Sequence, residues 1–193
     1  MGDPHQEVIA VPAAARAREE DLRVRRTAIS DLDFVLALEQ HPDTRAFIGQ
    51  WPREEHALTL TRPDREHWIV ERGPHFEPVG YVILYDVIAA GYGVYVKRIA
   101  IADKSRGVGR RALAALVDHA FEELASPSVC LAVYPQNLRA RRSYAAIGFS
   151  EITLFPAERR DMQQRVDPFP DECLVMLVTA DTFRRPGAGA TTV

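Results

Sequence analysis

Two glycines separated by one residue, Gly107 and Gly109, stand where a β-rich run gives way to a helical pattern. The first N–H groups of a helix have no partner within it and the helix dipole is positive there, so such a turn binds anions. Glycine permits a positive φ and lets a bulky phosphate approach the backbone closely. The turn therefore predicts a diphosphate site, with an ordinary tight turn as the alternative for a glycine pair alone. Four cations crowd the same turn: Lys104, Arg106, Arg110 and Arg111.

A second group of functional side chains lies in the segment N-L-R-A-R-R-S-Y-A-A-I-G-F, from Asn137 to Phe149. Asn137, Ala140 and Tyr144 are spaced i, i+3 and i+7, so they share one face of a helix. The small side chain of Ala140 leaves room between two polar ones, as in a wall that contacts a ligand. Taken alone, these residues also fit an N-cap asparagine and a half-buried tyrosine.

Together and in this order, the two segments resemble the GNAT superfamily of acetyl-CoA-dependent N-acetyltransferases. The family's first motif, R/Q-x-x-G-x-G/A, is matched at both glycines, with Lys104 as a conservative departure at its first position. The second, N-x-x-A-x-x-x-Y-x-x-x-G-F, is matched throughout. The resemblance covers about Leu22 to Ala180. The layout around Arg98 is most similar to the branch that includes ribosomal-protein N-terminal acetyltransferases.

The resemblance implies a cofactor site for acetyl-CoA. Lys104 would belong to it as the first position of the motif, and the pyrophosphate would be held by the amides of Arg106, Gly107, Val108, Gly109, Arg110 and Arg111. In this family two central parallel strands splay apart to admit the pantetheine arm, which here would pair with Ile99, Ala100 and Ile101. Asn137 would hydrogen-bond to the cofactor, Arg141 or Arg142 would reach its ribose phosphate, and Tyr144 would protonate the departing thiolate.

The general base and the acceptor site are less evident. Some relatives carry a glutamate in the strand before the second motif, where this chain has Ala132. A lysine amine with a pKa of ~10.4 is rarely neutral at pH 7, whereas an α-amine near ~7.8 is neutral about a tenth of the time and needs no strong base. Glu39, Asp86 and water are the candidate bases. Phe47, Ile48 and Trp51 would line the acceptor side, or else form a hydrophobic lid.

The composition of the chain argues against several classes of function. The chain has 193 residues and a net charge of −3, which argues against a nucleic-acid partner or an anionic membrane held by a broad basic field. Neither the two cysteines nor the six histidines show metal-ligand spacing, so we expect no metal site. The N-terminal residues include no apolar signal region. We expect a cytoplasmic protein, monomer or homodimer, that acts on a small-molecule or protein amine.

Hydrophobic periodicity supplies the elements that position these residues. Residues 1–20 and 182–193 are predicted to be flexible, flanking one acetyltransferase domain at 21–181. The pattern predicts helices from Ser30 to about Gln40, from Arg53 to about Thr61, from the glycine turn to about Leu124, and from Asn137 to Ile147. Strands are predicted at Leu22–Ala28, His67–Glu71, Val79–Val87, Val94–Ala102, Val129–Tyr134, Phe149–Phe155 and Glu172–Thr179, with a bulge near Lys97 or Arg98 and a polar loop from Pro156 to Asp171.

These elements predict an α/β (α+β) fold of the GNAT type. It has a mixed central sheet of about six or seven strands, with splayed central parallel strands and about four flanking helices. The leading functional hypothesis is acetyl transfer from acetyl-CoA to a primary amine. The alternatives are a non-catalytic acyl-CoA sensor or scaffold, favoured by the lack of a clear base, and an unrelated nucleotide-binding domain, which would not account for the segment from Asn137 to Phe149.

Overall fold

The structure, a computed structural model, describes residues 7–11, 21–88, 93–102, 104, 107–166 and 168–185. It contains eight strands: β1 Val8–Val11, β2 Leu22–Arg26, β3 Arg65–Arg72, β4 Glu77–Tyr85, β5 Val94–Ile101, β6 Ser128–Val133, β7 Ser150–Ile152 and β8 Leu174–Thr179. The α-helices are α1 Leu32–Gln40, α2 Pro42–Arg45, α3 Arg53–Thr61, α4 Val108–Glu122, α5 Leu138–Ile147 and α6 Pro156–Arg165. Among the described residues, no helix is both long and apolar enough to cross a bilayer.

All eight strands form one mixed sheet in the order β1-β2-β3-β4-β5-β6-β8-β7. Every neighbouring pair is antiparallel except β5 and β6, which are parallel. The predicted mixed sheet with central parallel strands is therefore confirmed, with one strand more than the upper predicted number.

The additional strand, β1, lies within residues 1–20, for which the sequence predicts a flexible arm. Val8–Val11 pairs antiparallel with β2, and Glu7 forms an ion pair with Arg26 at 2.9 Å. A run of four residues is too short for periodicity to identify, and its ordering depends on the edge of β2, which the local sequence does not show. Residues 1–6 and 12–20 lie outside the described residues.

The parallel strands part after a short paired stretch. Pairing of β5 with β6 runs only from Val94 and Val129 to Val96 and Leu131, although both strands continue beyond it. The antiparallel register of β5 with β4 skips Lys97, so this residue is the bulge that the sequence predicts. Because a bulge bends its strand, it directs β5 away from β6 at the point where their pairing ends. We refer to the resulting gap as the fork.

Each face of the sheet has its own hydrophobic core. Helix α4 covers one face with its buried stripe of Leu113, Leu116, Val117 and Ala120, as the periodicity predicts. The opposite face carries a second cluster, which includes Val35 and Leu38 of α1 and Met162 of α6. The sheet is therefore buried on both sides, as expected when parallel strands lie at its centre.

Helix α6 occupies part of the segment from Pro156 to Asp171, for which the sequence predicts a polar loop. It begins with proline at its first position, and the side chain of Glu158 accepts a hydrogen bond of 2.8 Å from the Phe155 amide. Both are helix-start signals. Periodicity missed the helix because it is polar on nearly every side, with Met162 as its one buried residue.

The described part of the predicted C-terminal tail is also docked. The Phe183 ring lies 5.7 Å from the Phe121 ring, and the amide of Arg184 donates to the Ile147 carbonyl at 2.7 Å. Arg185 forms an ion pair with Glu122 at 2.7 Å. These contacts follow from the position of α4, which the tail sequence does not reveal. Residues 186–193 lie outside the described residues.

Candidate active site

A cleft of about 1220 Å³ opens at the fork and joins the two faces of the sheet. Some of its lining residues belong to or pack against the core under α4, and others belong to or pack against the core of the opposite face. The first group includes Ile99, Ile101, Val108, Ala140 and Tyr144. The second group includes Trp51, Tyr95, Ala132, Tyr134 and Phe169. We call these five residues the aromatic pocket.

The glycine turn forms one end of this cleft. Gly107 is the N-cap of α4 and adopts a left-handed conformation with φ of 70°, which explains the requirement for glycine. Gly109 lies in the first turn, where an added Cβ would come within 3.2 Å of Ile101 Cγ1. Gly107, Val108 and Gly109 all line the cleft, so the start of α4 faces it. Arg106, predicted to contribute an amide here, lies outside the described residues.

The cations predicted around this turn divide into two groups. Lys104 and Arg110 line the cleft, and Lys104 Nζ donates to the main-chain carbonyl of Asp43. Arg111 is not among the lining residues. Arg139 of α5, which was not predicted from the sequence, does line the cleft.

Arg141 and Arg142 of α5, one or other of which was predicted to reach the ribose phosphate, lie outside the cleft lining. Arg141 instead donates to the Pro135 carbonyl at 2.9 Å and to Glu151 Oε1 at 2.5 Å. Arg142 is exposed. Helical spacing explains the difference, because Arg139 is one turn before Arg142 and close to the cap at Asn137, where α5 meets the fork.

The helix face predicted from Asn137, Ala140 and Tyr144 does line the cleft. Asn137 is also the N-cap of α5, since its Oδ1 accepts a hydrogen bond of 3.2 Å from the Ala140 amide. Its side-chain NH₂ is the group left to contact a ligand. The Tyr144 ring packs at 6.0 Å from the Phe149 ring, and burial raises the pKa of its phenol to about 12. Tyr144 is therefore a neutral proton donor throughout the physiological range.

The strand residues Ile99, Ala100 and Ile101 line the cleft along the open side of the fork. Within the described residues, β5 beyond Val96 is paired with β4 only. Its other edge therefore presents main-chain donors and acceptors to the cleft, as an extended ligand would require.

Glu39 is buried behind the cleft instead of lining it. Its Oε1 accepts a 2.5 Å hydrogen bond from Arg98 and another from the Tyr81 hydroxyl, and its Oε2 accepts one of 2.9 Å from the Trp51 amide. Burial alone would raise the pKa of Glu39, but His56, Arg98 and these hydrogen bonds lower it overall. The carboxylate is thus a weak base that holds Trp51 of the aromatic pocket and the Arg98 guanidinium packed against it.

A line of buried polar groups extends from Glu39 away from the cleft. His56 Nε2 lies 3.3 Å from Glu39 Oε1, His56 Nδ1 lies 3.2 Å from His67 Nε2, and His67 Nδ1 lies 2.8 Å from the Thr27 hydroxyl. Burial, with the nearby His56 and Arg98, lowers the pKa of His67 to about 3, so this ring is neutral. Across the described residues, no group of three or more His, Cys, Asp or Glu side chains could hold a metal ion.

The other predicted acceptor-side residues are found in different places. Phe47 and Trp51 line the cleft, and the Arg98 guanidinium stacks 4.2 Å from the centre of the Trp51 ring. Asp86 lies outside the cleft lining, at the end of β4, where it forms an ion pair with Arg165 at 3.2 Å. Burial raises the pKa of Asp86. This ion pair could not be predicted from the sequence, because Arg165 belongs to α6 and that helix was not predicted.

Three residues of the aromatic pocket were not identified from the sequence: Tyr95, Tyr134 and Phe169. Tyr95 alternates with Val94 and Val96, so strand periodicity places it on the opposite face from them, and the same alternation relates Cys130, Ala132 and Tyr134. These residues were identifiable in principle. Phe169 follows α6, and its ring stacks against Tyr95 with 6.3 Å between centres. That contact has no local sequence signal.

Comparison with known proteins identifies the family. Residues 34–149 match the family model for the acetyltransferase (GNAT) family. A search of curated proteins finds no significant match. Among solved structures, spermidine N-acetyltransferase from Vibrio cholerae, in complex with CoA and spermine, is 18% identical with a TM-score of 0.66. The alignment covers 83% of this chain and 96% of that one.

A second similar structure is that of Mycobacterium smegmatis RimJ in complex with CoA-disulfide. It is 17% identical over 86% of this chain and 85% of that one, with a TM-score of 0.64. Identities this low establish a common fold alone, and the two neighbours do not separate the ribosomal-protein branch from others. Most of the predicted fold is observed, both sequence motifs are present, and residues 34–149 match the family model. The chain therefore belongs to the acetyltransferase (GNAT) family.

Proposed function

We propose that this protein transfers an acetyl group from acetyl-CoA to a primary amine. The observation that carries the proposal is the cleft through the sheet, which joins the N-terminus of α4 on one side to the aromatic pocket on the other and has Tyr144 in its lining. A cleft of this form can admit two substrates from opposite faces of the sheet, as direct transfer requires.

The residues present fit a phosphopantetheine thioester. The left-handed Gly107 starts a 15-residue helix whose first amides face the cleft and suit a diphosphate. Lys104, Arg110 and Arg139 add positive charge at that end, and the unpaired edge of β5 from Ile99 to Ile101 would hydrogen-bond to the amides of the pantetheine arm. The Asn137 NH₂ group would donate to the same ligand.

Tyr144 would act as the general acid. Bound acetyl-CoA supplies the acetyl group as a thioester. The acceptor nitrogen forms the new C–N bond as the C–S bond breaks, and the electron pair of that bond leaves on sulfur. The Tyr144 hydroxyl gives its proton to the sulfur, and the nitrogen releases one proton. A main-chain N–H of β5 near Ile99 would polarise the thioester carbonyl.

The described residues of the cleft lining supply no strong base. Among them the only carboxylate is Asp43, beside Lys104. Both carboxylate oxygens of Glu39 accept hydrogen bonds, and Asp86 lies outside the cleft lining in its ion pair with Arg165. The acceptor would therefore be an amine with a substantial neutral fraction near pH 7, and on acylation its nitrogen would release one proton to water and keep the other.

The experiment is a thiol-release assay with purified protein, acetyl-CoA and a panel of α-amines and small primary amines. We expect amine-dependent release of CoA that saturates in both substrates. A sensor or scaffold, which the missing base favours, would bind CoA in a parallel titration and release no thiol with any amine. That second result would overturn the proposed activity and leave the ligand assignment in place.

A further inference from the structure

The chain between α2 and α3, residues 46–52, contains neither helix nor strand and forms part of the cleft wall. Phe47, Ile48, Gly49 and Trp51 all line the cleft. A segment without regular structure of its own takes its position from contacts with the rest of the protein. We call residues 46–52 the α2–α3 segment. The contacts that hold it therefore decide the shape of this wall.

Trp51 joins the α2–α3 segment to several other elements. Its amide donates a hydrogen bond of 2.9 Å to Oε2 of Glu39, in α1. The Arg98 guanidinium of β5 lies 4.2 Å from the centre of its ring, and the His56 ring of α3 lies edge-on at 5.2 Å. The Tyr85 ring of β4 stacks at 6.5 Å with an interplanar angle of 29°. Trp51 is therefore held through both its main chain and its side chain.

The Glu39 carboxylate lies at the centre of these contacts. Its Oε1 accepts hydrogen bonds from Arg98 and from the Tyr81 hydroxyl, and His56 Nε2 lies 3.3 Å from the same oxygen. Its Oε2 accepts the Trp51 amide. Because both oxygens face donors, an amide side chain here would turn its NH₂ group towards one set of them and leave those donors without an acceptor. The arrangement therefore requires a carboxylate.

Resting on the proposed acetyl transfer, we propose that Glu39 is a positioning residue for the acceptor amine and acts through Trp51. Glu39 is buried behind the cleft and is not one of its lining residues, so it acts on the amine only through the residues that it holds. With Trp51 fixed, this wall is ordered before the amine arrives, and less conformational entropy is lost on binding. The role needs no proton transfer by Glu39.

The first test compares Glu39→Gln with Tyr81→Phe in the thiol-release assay, using the full chain and L-alaninamide or the panel amine with the highest kcat/KM. Tyr81→Phe is the matched control, because it removes a buried hydrogen bond to the same carboxylate from a residue outside the cleft lining. We expect Glu39→Gln to raise KM for the amine about 10-fold, with kcat and the Kd for CoA within about 3-fold of wild type, and Tyr81→Phe to change KM by less than about 2-fold. A fall in kcat at unchanged KM would overturn the proposal, since it would place Glu39 in the chemical step.

A double-mutant cycle tests whether Glu39 acts through Trp51. In a Trp51→Ala background the residue that Glu39 positions is missing, so adding Glu39→Gln should change KM for the amine by less than about 2-fold. The same 10-fold increase in both backgrounds, as additivity would give, would overturn the proposal.

Tryptophan fluorescence gives a readout that needs no turnover. The chain has two tryptophans, and Trp68 is fully buried, so acrylamide quenching reports chiefly on Trp51. We expect the quenching constant to rise about 2-fold in Glu39→Gln, because the α2–α3 segment loosens, and to stay close to the wild-type value in Tyr81→Phe.

Glu39→Asp keeps a carboxylate beside Arg98 and shortens its reach to the Trp51 amide, so it serves as the test variant if Glu39→Gln does not fold. Its quenching constant should also rise. Wild-type quenching in every folded Glu39 variant would overturn the proposal. If the wild-type protein releases no thiol with any amine, the proposed activity fails, and the quenching comparison then decides whether Glu39 positions Trp51.

Discussion

Tyr144 combines the position and the protonation state that an acid for a leaving thiolate needs. It lines the same cleft as the open edge of β5, and burial raises the pKa of its phenol to about 12. The sequence predicted its place on the cleft because helical spacing ties it to Asn137 and Ala140. A phenol with the ordinary pKa of ~10 is neutral at pH 7 in any case. The further rise to about 12 comes from the burial of Tyr144 in the folded protein and was not predictable from spacing.

Replacing Tyr144 with phenylalanine removes the proton donor and retains the ring. We expect kcat to fall about 100-fold or more, while the Kd for CoA changes by less than about 3-fold. Steady-state kinetics and calorimetry on the same preparation measure the two quantities. A variant with unchanged kcat would exclude Tyr144 as the acid.

The raised pKa of Tyr144 also predicts the form of the pH profile. Deprotonation of the acceptor amine increases the rate as pH rises, and the acid stays protonated until the pH approaches its own pKa of about 12. With an α-amine acceptor, kcat/KM should rise to a plateau above about pH 8 and stay there up to about pH 10. A decline beginning near pH 9 would indicate an acid with a lower pKa than that of Tyr144.

The contacts of Glu39 predict a contribution to stability. Its carboxylate is buried with Arg98, His56 and Tyr81, so Glu39→Gln leaves a buried guanidinium without its counter-charge. We expect the free energy of unfolding at pH 7 to fall by about 3 kcal/mol in urea titrations. The control Glu151→Gln disrupts an exposed ion pair with Arg141 and should cost less than about 1 kcal/mol.

The effect of Glu39 should depend on pH. Its pKa is lower in the folded protein than the ordinary value of 4.5, so its stabilisation is fully present above pH 4.5 and is lost as the pH falls through the folded pKa. The stability difference between the wild type and Glu39→Gln should therefore narrow on acidification below about pH 4.5. A difference that is constant from pH 7 to pH 3 would show that the carboxylate charge does not contribute.

Among the elements, the fork and the start of α4 create the site together. The Lys97 bulge was predictable because the apolar alternation of β5 shifts phase there, and the fork follows from it once β6 is known to be the parallel neighbour. Helix α6 and strand β1 were not predicted. The first is polar on almost every face and the second is only four residues long, so neither shows a period.

The glycine turn provides a test of one element. Gly107→Ala places a Cβ on a left-handed residue, which should reduce stability by about 1 kcal/mol, and it also fills space where a diphosphate would approach. We expect CoA affinity to fall about 10-fold. The control is Gly73→Ala, at φ of 83° and with open space around its Cβ position, which carries a similar backbone cost away from the cleft. Equal CoA affinities in the two variants would contradict the role of the turn.

Across the whole molecule, two hydrophobic cores hold the sheet and the cleft passes between them at the fork. The half of the cleft that we propose binds the cofactor was largely predictable, since its residues lie in two local motifs around Gly107 and Asn137. The aromatic pocket was predicted only in part. It joins Trp51, Tyr95, Tyr134 and Phe169 from four distant segments, and only the sheet order β5-β6-β8 with α6 brings them together.

The most direct test of this account is a crystal structure of the protein with CoA. We expect the diphosphate to accept hydrogen bonds from the amides around Gly107 to Gly109, the pantetheine arm to run along β5 at Ile99 to Ile101, and the sulfur to lie within hydrogen-bonding distance of the Tyr144 hydroxyl. CoA bound outside the fork, or a sulfur distant from Tyr144 while the diphosphate is in place, would contradict the account.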